Sequence, residues 1–365
     1  MTKILHAACK GATVLAMTLG VIALTSCINK WVDDDLSDCD NGYQLDYELR
    51  LVTNMTTELQ TQLSMQTDIA LSAALKTQLS NIFTDFAHDV DLSFYDTQGD
   101  SLRLQHDEHI MDANQASYTL NLPKRQYMHL AAANVVDNPV VDITDDERCH
   151  TATLRQLMTA GQGDTIPSHN TGIFTARQPM EVLEGIDQTF NVRLYMANCA
   201  AALVIDPRGH DVSTMCVYAT GFATAFNIGD STYTYTEHPP IVRTQEVTTT
   251  ADGQLCFLSV NFPSRDTRDN TSRQQNGGTR TIIETTEPFI AEPGEELWQF
   301  KIYITLDDGS TTETILGLRE PLRAGQMKIV KAYVGDNGAV ATADETVGVS
   351  VTLDWNQIDF PDVPL

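Results

Sequence analysis

Cys27 is the residue with the most sharply defined chemistry in this chain. It closes the run Leu24-Thr25-Ser26-Cys27, which is a branched apolar residue, two small residues and a thiol. A lipoprotein signal peptidase reads that pattern. The thiol takes a diacylglyceryl group, the bond between Ser26 and Cys27 is cut, and Cys27 becomes the first mature residue. A basic start (Lys3, His6, Lys10) and an apolar run from Ala12 to Leu24 come before it. A run of about 13 residues suits the h-region of an export signal and is short for a bilayer span. The alternative is an ordinary export signal that happens to end on a cysteine.

Elsewhere no catalytic constellation completes itself. Gly348-Val-Ser350 begins a nucleophile elbow, yet Thr352 stands where the second glycine belongs, and the stretch alternates like a strand. Gly161-Gln-Gly163 lacks a third glycine and a strand-to-helix setting. His106-Asp-Glu-His109 is the best metal candidate, but imidazoles three positions apart meet only on a helix. Its flanks read as a strand end and loop, so a solvated segment is expected there. Asp142 to Glu147 concentrates carboxylates without the spacing or glycine of a calcium loop. Tyr233 and Tyr235 alternate with threonines, a pattern that could line a sugar site and equally suits any exposed strand. Asp100-Ser101-Leu102 and Asp164-Thr165-Ile166 resemble an O-glycosylation acceptor of certain anaerobes. The expectation is a protein that is not an enzyme and needs neither cofactor nor metal.

With 49 acidic against 23 basic residues, the chain carries a formal net charge of −26. Such a field repels nucleic acid and anionic headgroups, which excludes nucleic-acid partners. Membrane attachment then falls to acyl chains, two or three of which hold stably. Of seven cysteines, Cys9 leaves with the signal and Cys27 is lipidated. The remainder is odd in number, has no C-x-x-C and fits no zinc spacing. Cys199, Cys216 and Cys256 lie in apolar, strand-like runs, where a thiol packs as a small hydrophobe. An export compartment permits a disulfide between Cys39 and Cys149 without the sequence demanding one.

The elements behind these residues follow from periodicity. After the signal (1–26), residues 27–41 are polar and acidic, with Asp33, Asp34 and Asp35 in a row, and read as a solvated tether. Tyr43 to Leu51 alternates completely and predicts a half-buried strand. Leu71, Leu75, Leu79, Ile82 and Phe86 then share one helical face, with Asp68 placed as its cap. This is a helical insertion after the first strand, because alternation resumes at Val90, Leu92 and Phe94 and turns at Asp96–Gly99. Polar loops are expected from Asp137 to Pro167, with a short helix near Thr151 to Thr159. Beyond that, strands are expected at 189–197, 202–206, 213–220, 232–236, 255–261, 297–306, 311–317, 327–334 and 347–355. Leu306-Asp-Asp-Gly-Ser310 supplies a hairpin turn. Pro263 to Arg280 has no aliphatic or aromatic residue and predicts a mobile, protease-sensitive loop. Many short strands separated by turns indicate a mainly β chain, divided into β-sandwiches at 42–185 and 186–365.

Several of these stretches together resemble the anchor and accessory lipoproteins of type V fimbriae in Bacteroidales-type bacteria. The stretches are the box ending at Cys27, Leu36-Ser-Asp-Cys39 leading into the first strand, and VDLSFYDTQGD at 90–100. They continue with FNVRLYMANCAAALVID at 190–206 and the close LRAGQMKIVKAYVGDNG…VGVSVTLDW at 322–355. The acidic residues after Cys27 also resemble the signal that sends such lipoproteins to the outer face of the outer membrane; a plain hydrophilic linker is the alternative. The resemblance implies two tandem transthyretin-like sandwiches, a structural role in a cell-surface fimbrium, and a fimbrial shaft subunit as partner. It also implies β-strand donation. Shaft subunits of the family lose their first strand to an arginine-directed protease, and a neighbour's strand fills the groove. Here the first strand would stay, since Arg50 sits inside the alternation. The C-terminal segment, with Val347, Val349, Val351, Leu353 and Trp355 on one face, would join the neighbour. Pro361 and Pro364 should stop the tail from continuing as a strand. The competing class is a surface glycan- or matrix-binding adhesin lipoprotein on the same scaffold, which an exposed aromatic platform would favour.

Overall fold

The computed structural model describes residues 43–52, 69–83, 87–98, 101–110, 117–148, 151–157, 165–184, 186–248, 253–266, 290–307, 309–344 and 346–354. Strand β1 (Tyr43–Val52) buries Leu45, Tyr47 and Leu49 and exposes Gln44, Asp46 and Glu48 between them, as its alternation requires. Helix α1 (Ile69–Ile82) follows and buries Leu71, Leu75, Leu79 and Ile82. Asp68 and Phe86 lie outside the described residues.

Among the described residues, twenty-two strands form four sheets. The seven-stranded sheet runs β3 (Arg103–Ile110), β2 (Asp89–Asp96), β5 (Gln126–Ala133), β9 (Phe174–Glu181), β10 (Gln188–Met196), β1 and β4 (Ser117–Leu122). A four-stranded sheet runs β14 (Thr232–Thr234), β13 (Ala225–Asn227), β7 (Ala152–Gln156) and β6 (Val141–Asp145). The five-stranded sheet runs β16 (Gln245–Glu246), β17 (Leu255–Asn261), β11 (Cys199–Asp206), β20 (Met327–Val334) and β21 (Val340–Ala341). The six-stranded sheet runs β22 (Val347–Asp354), β19 (Thr311–Leu318), β18 (Trp298–Leu306), β12 (Val212–Thr220), β15 (Ile241–Arg243) and β8 (Thr165–Pro167).

Three apolar clusters bind these sheets face to face. One joins Tyr47, Leu92 and Phe94 of the seven-stranded sheet and Leu75 of α1 to Ala202, Leu258 and Ile329 of the five-stranded sheet. A second packs Leu203 and Val330 of the five-stranded sheet against Phe300, Ile302 and Leu316 of the six-stranded one. The third sets Tyr95, Leu130 and Ala132 on the far face of the seven-stranded sheet against Leu154 and Phe226 of the four-stranded sheet. Inner sheets are therefore covered twice. All eight residues of β2 are buried, so Asp89, Asp91 and Ser93 go inside along with the apolar residues between them. Burying seven of eight positions in β11 explains its Ala-rich run, because small side chains let layers approach on both faces.

Strands from both sides of residue 185 share sheets. β10 runs parallel to β1 from Leu45↔Gln188 to Val52↔Tyr195. The pair β6–β7 joins β13, and β8 joins β15. The expected helix near Thr151–Thr159 is instead β7, where Ala152, Leu154 and Gln156 are buried in alternation; period two won over the helical reading. The stretch expected as loops from Asp137 to Pro167 carries β6, β7 and β8. His106 to His109 lies within β3 rather than at a strand end. The hairpin at Leu306–Ser310 forms as expected, with the Leu306 amide donating to the Ser310 carbonyl at 2.9 Å. Gly309 takes the positive φ of 81° that this turn needs. Of the loop expected at Pro263–Arg280, residues 267–280 lie outside the described residues. Among the described residues no helix is long and apolar enough to cross a membrane.

Candidate assembly site

The C-terminal strand β22 pairs antiparallel with β19, from Thr311↔Asp354 to Leu318↔Val347, and is the last strand of its sheet. Residues directly opposite on paired strands share a face. Val347 lies beside Leu318 and both are buried in the core. Val349 lies beside Leu316 and Val351 beside Thr314, whose exposures are 0% and 1%. Yet Val349 is 44% exposed and Val351 39%. The covering layer thus stops between β19 and β22, leaving two valines uncovered on the inward face of an edge that carries no further strand among the described residues. Gly317 and Gly348 face one another across the same pair of strands, under the side chain of Glu296. A Cβ at Gly317 would run into Cγ of Glu296, so glycine lets that side chain lie across the two strands. Leu353 pairs with Thr312 through its backbone; its side chain, and all of Trp355, lie outside the described residues.

At the other end of the chain, β1 is held on both edges, parallel to β10 and antiparallel to β4. Its Tyr47 hydroxyl is 2.5 Å from His129 Nε2, and His129 Nδ1 is 3.0 Å from the Ser93 carbonyl. A carbonyl only accepts, so Nδ1 carries the proton and Nε2 accepts from Tyr47. The imidazole stacks on Phe94, with ring centres 4.3 Å apart. Burial pulls the His129 pKa down to about 4, against a weaker upward pull from its hydrogen bond to Ser93. Arg50 exposes its side chain, but its backbone lies in the ladder opposite Arg193.

Other sequence candidates fall as follows. Ser26, Cys27, Cys39 and Cys149 lie outside the described residues. Cys199 and Cys256 are buried free thiols and Cys216 a half-buried one. Burial pushes all three pKa values up, that of Cys256 to about 12, so none is a reactive nucleophile. Tyr233 and Tyr235 form no platform. Their hydroxyls donate inward to the carbonyls of Ala197 and Ser264, each at 2.8 Å, and Tyr233 packs on Phe226. Among the described residues the exposed large apolar side chains are all aliphatic. Thr165 is buried in β8, closed to a glycosyl carrier. The strand at 106–109 denies two histidines three apart a common face; His106 instead meets Asp91 of β2, at 2.7 Å. Asp91 escaped the sequence reading because strand pairing, not proximity along the chain, brings it there. Its only trace is an acid alternating within Val90–Phe94.

No protein-family model and no curated protein sequence matches the chain. Solved structures do. A candidate adhesin from Bacteroides ovatus is 9% identical, with a TM-score of 0.48, over 87% of this chain and 96% of its own. One from Bacteroides thetaiotaomicron is 8% identical, with a TM-score of 0.47, over 88% of this chain and 100% of its own. The fimbrial anchor protein Mfa2 from Porphyromonas gingivalis is 10% identical, with a TM-score of 0.40, over 86% and 98% respectively. At such values the likeness concerns the path of the chain, and what the molecule does rests on its own residues. The chain is similar to candidate adhesins and to a fimbrial anchor, the kinds of protein that the sequence resemblance names.

Proposed function

We propose that this chain is an outer-membrane lipoprotein of the cell surface, acylated at Cys27, that anchors a fimbrium or serves as its accessory subunit. It performs no catalysis. Its stacked sheets act as two tandem transthyretin-like units, 42–185 and 186–365, that exchange strands: β10 joins the sheet of the first, and β8 that of the second. The partner is a fimbrial shaft subunit, engaged through the C-terminal segment. Since β22 already lies along β19, the edge offered for donation is its outer one. Main-chain groups there would pair with the neighbour while Val349 and Val351 accept its apolar side chains.

The uncovered valines on an unpaired edge carry this reading. An exposed apolar edge strand invites foreign pairing, and natural proteins blunt such edges unless they use them. An edge at β22 that is free among the described residues, combined with a filled seat at β1, suits a terminal subunit that joins one neighbour. The glycan-binding alternative finds no aromatic platform among the described residues.

Substituting Val349→Lys with Val351→Lys, both on exposed positions, should leave the protein folded and on the cell while fimbriae are shed or lost. Removing 347–365 should do the same. Cell-bound fimbriae in normal number, with either variant folded at normal level, would sink the proposal.

A further inference from the structure

Asp91 and Glu108 sit directly opposite one another on β2 and β3. Like charges in that relation destabilise a strand pair, and this pair persists with Asp91 buried. Between them comes His106, whose Nε2 is 2.7 Å from Asp91 Oδ2, 4.0 Å from Glu108 Oε1 and 3.9 Å from Asp145 Oδ2 at the end of β6. One donor atom from each of Asp91, His106 and Glu108 lies within 4.8 Å of the other two. A tetrahedral ion bonded at about 2.0–2.1 Å separates its ligands by about 3.4 Å, and the three distances from Nε2 bracket that value.

Polar side chains continue inward from the cluster: Ser93, directly across from His106 and two positions along the same face from Asp91, is 1% exposed. Asp145 is held by Arg103, whose backbone amide donates to the Glu147 carbonyl. Beside it opens a polar cleft of about 470 Å³ lined by Asp145, Asp146 and Glu147, and the side chains of His106 and Glu108 are themselves 29% and 53% exposed, which opens the cluster to solvent.

We infer that Asp91, His106 and Glu108, with Asp145 released from Arg103, form a binding site for a divalent transition cation of the zinc class. Imidazole nitrogen beside carboxylates suits zinc over calcium or magnesium, which prefer oxygen alone. The ion would cancel the repulsion between Asp91 and Glu108. It would also brace edge strand β3 and the β6–β7 turn onto β2, riveting the four-stranded sheet to the seven-stranded one.

Titration calorimetry of the purified full-length chain with zinc chloride tests this, alongside calcium chloride and thermal melts. One zinc ion per chain at micromolar affinity is expected, with a raised melting temperature and little response to calcium. Glu108→Gln and His106→Gln should each weaken zinc binding by more than about tenfold. Glu108 is exposed, so its variant should fold regardless. Absence of stoichiometric zinc binding would overturn the assignment. So would zinc binding that both variants leave unchanged, or calcium binding as tight as zinc.

Discussion

The hydroxyl of Tyr47 reaches His129 across a sheet in which β9 and β10 stand between their strands. Three strand spacings amount to about 14 Å in a flat sheet, beyond the reach of these two side chains. The 2.5 Å contact therefore reports a strongly curled sheet that closes over its own core. It ties the first strand to the centre of the fold by a buried hydrogen bond as well as by the ladder.

Tyr47→Phe should destabilise the protein by about 1–3 kcal/mol, the cost of leaving a buried acceptor unmet. Denaturant unfolding at neutral pH measures it. A loss near zero would mean that His129 finds another donor.

Acid should unfold this protein through two buried histidines. Burial holds His129 at about 4 and His169 at about 3, below the usual value near 6.5. The unfolded chain therefore takes up protons first. Their contribution is whole above pH 6.5 and drains as pH falls toward 4, at up to about 1.4 kcal/mol per pH unit for each. Asp89 and Asp91, raised by burial, act in the opposite sense within the carboxylate range. Denaturation midpoints at pH 7 and pH 5 should show the drop, and His129→Gln should show a shallower one.

An arginine-specific protease should leave the Arg50–Leu51 bond intact in the native protein. A cleavable bond must enter a protease as free extended chain, and this one is paired on β10 through Arg50↔Arg193 and Leu51↔Leu194. Mass spectrometry of a limited digest decides it. Early cleavage at Arg50 would show that the first strand is released, which the anchor proposal forbids.

Much of the fold was legible in local patterning. Alternation placed β1, β11, β18, β20 and β22 to within a few residues, because a half-covered or core strand writes its period into its own side chains. The one face of α1 was equally plain at Leu71, Leu75 and Leu79. Where two sheets cover a strand, that signal fades. β7 hid behind threonines, and the buried acids of β2 looked like a solvent face.

Position along the chain settled which residues are apolar, which turn, and which stay free as thiols. Only the assembled sheets decided that Val349 is bare while its neighbour Leu316 is sealed, and that β10 crosses over to lie beside β1. The same assembly brought His106 to Asp91. Strand pairing joins residues that are remote along the chain through backbone hydrogen bonds, which every sequence offers alike. The choice of partner therefore comes from how the layers bury one another's faces.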